Sequence, residues 1–207
     1  MNNVKFIETR EIVERENEFT KGLSPDERQK YESLWPKRRA HEWLAGRIAA
    51  KLLVQKQTGQ DLRSIEISNI EDGPQKGRPY FGSWYLSISH SNGIAGAAIS
   101  KCPIGLDIEL IKLRIPMEKI AFSSQEVRTF ENLGARQRAA FTTRRWTELE
   151  AIVKYNGTGF RQSFASIVLP ENAGMKQGQC TVDGAQHYWT LVSAMENQQP
   201  NGEIRND

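Results

Sequence analysis

The residues best suited to chemistry fall in two acidic clusters. The first is Gly105-Leu106-Asp107-Ile108-Glu109; the second, Trp146-Thr147-Glu148-Leu149-Glu150-Ala151-Ile152-Val153-Lys154, places Glu150 forty-one residues after Glu109. Together Asp107, Glu109 and Glu150 would offer a divalent cation three carboxylates beside the Lys154 ammonium. A basic, hydroxyl-rich segment upstream could hold a phosphate, which is the equipment of phosphoryl transfer.

Ile104, Leu106 and Ile108 alternate with Gly105, Asp107 and Glu109, the period of a strand. Asp107 and Glu109 then share one face, about 7 Å apart along it. Neighbouring carboxylates repel unless a cation sits between them, and hard oxygen donors favour Mg²⁺ or Mn²⁺. The same pattern also fits a strand with a solvated polar face. In the second cluster Trp146, Leu149, Ile152 and Val153 recur at helical spacing, and Gly157 and Gly159 supply a stop. Glu150 and Lys154 lie four apart, the order that favours an ion pair. Such a pair on an open surface contributes only about 0.3–0.5 kcal/mol. Here it has apolar neighbours on both sides, and Gly157-Thr158-Gly159 follows as a flexible turn that could close over a ligand.

Upstream, Lys76-Gly77-Arg78-Pro79 leads through Tyr80, Phe81, Trp84 and Tyr85 into Leu86-Ser87-Ile88-Ser89-His90-Ser91. The serine hydroxyls and His90 can donate to phosphate oxygens, with Lys76 and Arg78 supplying charge. A histidine in a turn after a strand is also a common structural cap. The aromatic residues read as core rather than as a platform for a base. A Gly-x-Ser-x-Gly elbow is missing, which argues against a serine hydrolase.

The motif order closely resembles the 4′-phosphopantetheinyl transferase superfamily, and within it the larger, two-lobed type. It runs Ser24-Pro25, Arg39 to Arg47 in a helix, Gly77-Arg78-Pro79, Ser89-His90-Ser91, Gly105 to Glu109, Phe122-Ser123 with Glu126, and Trp146 to Lys154. The resemblance covers about residues 22–160. It implies transfer of the phosphopantetheine arm of coenzyme A to a serine of an acyl or peptidyl carrier protein, releasing adenosine 3′,5′-bisphosphate. It places Mg²⁺ (or Mn²⁺) on Asp107, Glu109 and Glu150, makes Glu150 the group that helps deprotonate the serine, and sets Lys154 on the pyrophosphate. It puts Ser89, His90 and Lys30 on the coenzyme A 3′-phosphate and Lys76 and Arg78 at the nucleotide end. Lys30 taken alone reads equally well as a solvated helix residue.

Two positions depart from the family pattern. Leu149 stands where a lysine is usual, and Glu27 where a second basic residue near Lys30 is common. Both are expected to weaken coenzyme A affinity or rate, with Arg144 or Arg145 placed to compensate.

At 207 residues, 38% hydrophobic and 26% charged, the chain can bury a substantial core. The net charge of +3 is a modest basic excess that would speed encounter with an acidic carrier protein, and would also suit nucleic acid. Cys102 and Cys180 form no Cys-x-x-Cys, so neither a zinc site nor a disulfide is expected. The N-terminus lacks an apolar signal core and no run approaches the roughly 18 apolar residues of a membrane span. A cytoplasmic monomer without membrane contact is expected.

The pattern predicts helix over 22–57, strands near 63–70, 80–90, 94–100 and 103–110, helices over 117–133 and 137–155, and strands near 163–169, 177–182 and 187–194; the polar stretch after 195 reads as frayed. With the resemblance, this gives an α+β fold of two similar lobes related by a pseudo-twofold. Residues 1–102 would grip the nucleotide and 3′-phosphate, and 103–207 would carry the acidic motifs and dock the carrier, with Phe122 and Phe130 as apolar candidates. Two other functions use the same residues. A metal-dependent nuclease would set Lys154 to orient water and the basic helix at 37–51 on phosphates, but gives Ser89 and His90 no job. A non-catalytic coenzyme A or carrier-binding homologue would have lost turnover through Leu149 and Glu27.

Overall fold

The computed structural model describes residues 3–73, 75–114, 117–159 and 163–195. Strand β1 (Val4–Glu8) leads into short helices α1 (Thr9–Glu14) and α2 (Glu16–Phe19). Helix α3 (Pro25–Ser33) starts at a capping box in which Ser24 and Glu27 satisfy each other's backbone N–H, with Pro25 in the first turn. Helix α4 (Lys37–Thr58) follows. The single helix expected over 22–57 is thus two, because Pro36 has no N–H to donate and forces the residue before it out of helical geometry.

Strands β2 (Ser68–Asn69), β3 (Pro79–Phe81), β4 (Trp84–Ser91) and β5 (Ile94–Ser100) complete an antiparallel sheet of order β1-β5-β4-β3-β2. Then come β6 (Ile104–Leu110), α5 (Met117–Ile120), α6 (Ser124–Glu131), α7 (Ala135–Asn156), β7 (Ala173–Val182) and β8 (Ala185–Ala194). The second sheet has the order β6-β8-β7.

The two halves repeat one plan. In each, a strand is followed by helices ending in a 22-residue helix, α4 or α7, and then a hairpin whose second strand returns to pair with the first strand. The hairpins turn at Asn92-Gly93 and Asp183-Gly184, all four residues at positive φ, the chemistry that a two-residue turn between twisted strands requires. Two strand expectations fail. Residues 62–64 and 164–166 form 3₁₀ turns, and only Ser68 and Asn69 of the expected 63–70 strand are paired.

One apolar core lies between α4 and the first sheet, around Leu44, Ile48, Ala49, Leu86 and Ile99. A second lies under α7, around Leu149, Ile152, Val153 and Val192. Ile104, Leu106 and Ile108 pack between the halves, against Ala98, Ile94 and Phe6. Gly105, on the opposite face of β6, meets α7 so closely that an added Cβ would sit 2.0 Å from the Ala151 carbonyl oxygen. That contact brings the helix carrying Glu150 and Lys154 onto the strand carrying Asp107 and Glu109.

Candidate active site

Asp107 is buried on β6. Its Oδ1 accepts from Lys154 Nζ and from the Ser89 hydroxyl, each at 2.7 Å, while its buried Oδ2 has no hydrogen-bond partner among the described residues. Lys154 Nζ also stands 3.7 Å from Glu150 Oε2, the ion pair expected from their spacing. Glu109 Oε2 accepts from the Ser91 hydroxyl at 2.7 Å and pairs with Arg114 Nη2 at 2.8 Å. The three carboxylates and Lys154 therefore form one electrostatic cluster where α7 crosses β6. Among the described residues no three His, Cys, Asp or Glu side chains are gathered closely enough to hold a metal as they stand.

The charges respond to burial and to each other. Burial pushes the Asp107 carboxyl above its ordinary range, and Lys154 and Ser89 only partly oppose it. Burial likewise raises Glu150; Lys154 pulls it back down, while Asp107 and Glu109 add to the rise. For Lys154 burial acts downward, but the attraction of Asp107 and Glu150 outweighs it and the ammonium is held above its usual value. The result is a firmly charged cation beside carboxylates that take up protons more readily than exposed ones.

Arg78 reaches across from the first half. Its Nη2 donates to the Lys154 and Tyr155 carbonyls at the end of α7, its guanidinium lies over the Tyr85 ring with 5.3 Å to the centroid, and the side chain is buried. A cleft of about 240 Å³ opens beside it, lined among others by Lys76, Gly77, Lys154, Gly157 and Gly159. A larger groove of about 930 Å³, with Tyr80, Trp84, Tyr85 and Lys101 on its walls, includes neither Lys154 nor any of the three site carboxylates. Size alone therefore does not mark the site. Phe81 and Trp84 pack against the first core, as expected of core aromatics.

The phosphate-binding expectations divide. Lys76 lines the cleft. Ser89 does not present a hydroxyl to a phosphate: it is buried, donates to Asp107, and accepts the Ile108 N–H at 3.3 Å. His90, its neighbour on a strand, points to the other face, half exposed, with Nδ1 3.5 Å from Glu42 Oε2. Lys30 is exposed on α3 and is not among the residues that line the cleft. Arg78 directs Nη2 to the α7 carbonyls, while its buried Nη1 has no hydrogen-bond partner among the described residues and the side chain lines the cleft.

Both departures from the expected pattern have structural explanations. Glu27 is buried, closes the α3 capping box, and pairs with the fully buried Lys51 and with Arg47 at 3.6 Å, so a basic residue there would face two cations. Leu149 is fully buried in the second core and does not face the cluster. Arg144 and Arg145 cannot compensate from where they stand: they pair with Glu148 and Glu126. Arg114 escaped the sequence reading, and Ser91, expected as a phosphate donor, donates to Glu109. Arg114 carried no signal beyond being a lone arginine after a strand, whereas Ser91 belongs to the visible alternation Ser87, Ser89, Ser91.

Residues 103–199 match the sequence profile of the 4′-phosphopantetheinyl transferase superfamily. The chain is similar to 4′-phosphopantetheinyl transferase Sfp of Bacillus subtilis (strain 168), 28% identical over 152 residues, which is 72% of this chain and 67% of that protein. It is also similar to a second Bacillus subtilis 4′-phosphopantetheinyl transferase, 28% identical over 70% of this chain and 64% of the relative. The matches thus span about two thirds of the length of these relatives. Among solved structures, a holo-(acyl-carrier-protein) synthase from Bacillus anthracis str. Ames in complex with CoA (3′,5′-ADP) aligns at 29% identity and a TM-score of 0.40. That alignment covers 47% of this chain and 90% of the synthase. Among the described residues no helix is long and apolar enough to cross a membrane. The profile match across the stretch that carries all three carboxylates, together with the two Bacillus relatives, makes the chain similar to the 4′-phosphopantetheinyl transferase superfamily.

Proposed function

We propose that the protein moves the 4′-phosphopantetheine arm of coenzyme A onto a serine hydroxyl of an acyl or peptidyl carrier protein. The observation that carries this reading is the convergence of Asp107, Glu109 and Glu150 on Lys154 beside a cleft lined by Lys76 and Lys154. The carrier serine oxygen forms a bond to the phosphorus that bears pantetheine. The bond from that phosphorus to the pyrophosphate bridging oxygen breaks, and adenosine 3′,5′-bisphosphate leaves. The serine proton passes to Glu150, whose raised pKa suits a general base. Lys154, held as an ammonium, lies against the pyrophosphate and offsets the charge that gathers on the leaving oxygen.

The donor chemistry fits a hard divalent cation, Mg²⁺ or Mn²⁺, on Asp107, Glu109 and Glu150, because Asp107 keeps a buried oxygen without a partner and all three groups are carboxylates. When bound, the cation would neutralise the pyrophosphate oxygens. On this reading residues 1–102 hold the nucleotide end, through Lys76 in the cleft and through His90 and Lys30 on the outer face. Residues 103–207 hold the carboxylates and receive the carrier. Leu113 and Ile120 are exposed apolar side chains there, whereas Phe122 packs edge-on with Phe130 and Phe141, which lie tilted against each other. The protein works as a cytoplasmic monomer.

The test incubates the purified protein with coenzyme A, Mg²⁺ and a panel of apo-carrier proteins. Intact mass should show one phosphopantetheine added to a carrier, lost when EDTA replaces Mg²⁺. Coenzyme A binding with no carrier modified would overturn the transfer reading in favour of a binding homologue.

A further inference from the structure

Strand β6 is the edge of its sheet, so one row of its backbone N–H groups faces away from β8. A strand of the other sheet satisfies them, but with side chains instead of backbone carbonyls. Ser87, Ser89 and Ser91 of β4 accept the N–H groups of Leu106, Ile108 and Leu110 at 2.9, 3.3 and 3.0 Å. Each serine pairs with its β6 partner at a constant sequence offset, which the shared period of two makes possible.

A hydroxyl that accepts still has its own proton to place. Ser89 donates to Asp107 Oδ1 and Ser91 to Glu109 Oε2, each at 2.7 Å, whereas Ser87 has only the Leu106 carbonyl at 3.5 Å. The upper two rungs thus fix a backbone bond across the halves and the aim of a carboxylate at once. Glu109 needs that restraint most. It is less buried than Asp107 and, among the described residues, is otherwise paired with Arg114 alone.

We infer that the serine ladder couples the docking of the two halves to the aim of the site carboxylates, and that Ser91 is the positioning residue for Glu109. Its kinetic consequence rests on the transfer reading above; its structural consequence does not. Ser91→Ala should lower kcat about tenfold, within the range for removing a group that orients a ligand-bearing side chain, and leave KM for coenzyme A within about twofold. Ser91→Thr, which keeps the hydroxyl, should restore most of the rate. In a Glu109→Gln background, Ser91→Ala should cost almost nothing further, since residues acting through one another are not additive. Independently of any activity, amide hydrogen exchange at Leu110 should be at least about tenfold faster in Ser91→Ala than in the unaltered protein.

Unchanged exchange at Leu110 would overturn the ladder. Faster exchange with unaltered kcat, or a full additional loss in the Glu109→Gln background, would overturn the positioning role. Should the unaltered protein transfer nothing to any carrier, the functional reading fails by itself and the exchange measurement still decides whether the ladder exists.

Discussion

On the proposed reading Glu150 meets two opposing demands: a general base must bind a proton well enough to take it from the serine, and a cation neighbour favours the ionised form that has none. Burial and the two other carboxylates raise its pKa, while Lys154 lowers it. Glu150→Gln keeps the side-chain volume and removes the base, so transfer should fall by about 10²-fold or more with thermal stability essentially unchanged. The rate of the unaltered enzyme should rise with pH as Glu150 loses its proton. Lys154→Met removes the one neighbour that depresses the Glu150 pKa, so the acid limb of its pH profile should move to higher pH while the maximum rate falls; a limb moving to lower pH would contradict this. These four residues were legible in the sequence because period two and the i,i+4 spacing are short-range geometry. The same period was overlooked two strands earlier, on β4. Applied to Ser89 and His90, it sends adjacent residues to opposite faces, and the structure has Ser89 on Asp107 and His90 beside Glu42.

At the scale of elements, the approach of α7 to β6 depends on one missing side chain. An added Cβ on Gly105 would lie 2.0 Å from the Ala151 oxygen and 2.6 Å from the Tyr155 nitrogen, both backbone atoms that cannot swing aside. Gly105→Ala should cost about 3 kcal/mol in a denaturant titration and lower transfer as well, because the displaced helix carries Glu150 and Lys154. A second contact binds helices to one another: Glu16 of α2 accepts from Tyr31 of α3 at 2.7 Å, and from Lys37 and His41 of α4 at 2.6 and 3.2 Å. The hydrogen bond from Lys37, then that from Tyr31, lowers the Glu16 pKa to about 2. Because the folded value lies below the unfolded one, this stabilisation is present above about pH 4.5 and is lost as pH falls toward 2. The melting-temperature difference between the unaltered protein and Glu16→Gln should shrink over that interval. Long helices were legible in sequence, but the strand expected over 63–70 was not there. Its alternation was real, since Ile65 and Ile67 are buried, yet no neighbouring strand pairs with residues 63–67.

The molecule as a whole is two repeated halves, the second carrying the three carboxylates and Lys154 and the first lending Ser89, Ser91 and Arg78 across the seam, contacts that left little trace in the sequence. Leu149 and Glu27 looked like losses from a binding site because only their identity was visible. The packing that makes one core and the other a partner for Lys51 depends on residues distant in the chain. Arg78 is the sharpest case. A basic residue after Lys76-Gly77 suggested a nucleotide contact; the structure adds a second role, with Nη2 reaching from the first half to the Lys154 and Tyr155 carbonyls of the second. The two roles predict different outcomes. A nucleotide contact replaced by alanine would raise KM for coenzyme A and leave stability alone. A clasp replaced by alanine leaves two carbonyls at the end of α7 without their donor, which should cost about 2–3 kcal/mol, speed amide exchange in the last turn of α7, and lower kcat by loosening Lys154. Lysine should rescue little of this, since one ammonium on a flexible stem does not reproduce a planar guanidinium braced on Tyr85. A variant with unaltered stability and a raised KM would return Arg78 to the nucleotide and leave the joining of the halves to their apolar contacts, the serine ladder and the exposed Arg10–Asp183 pair.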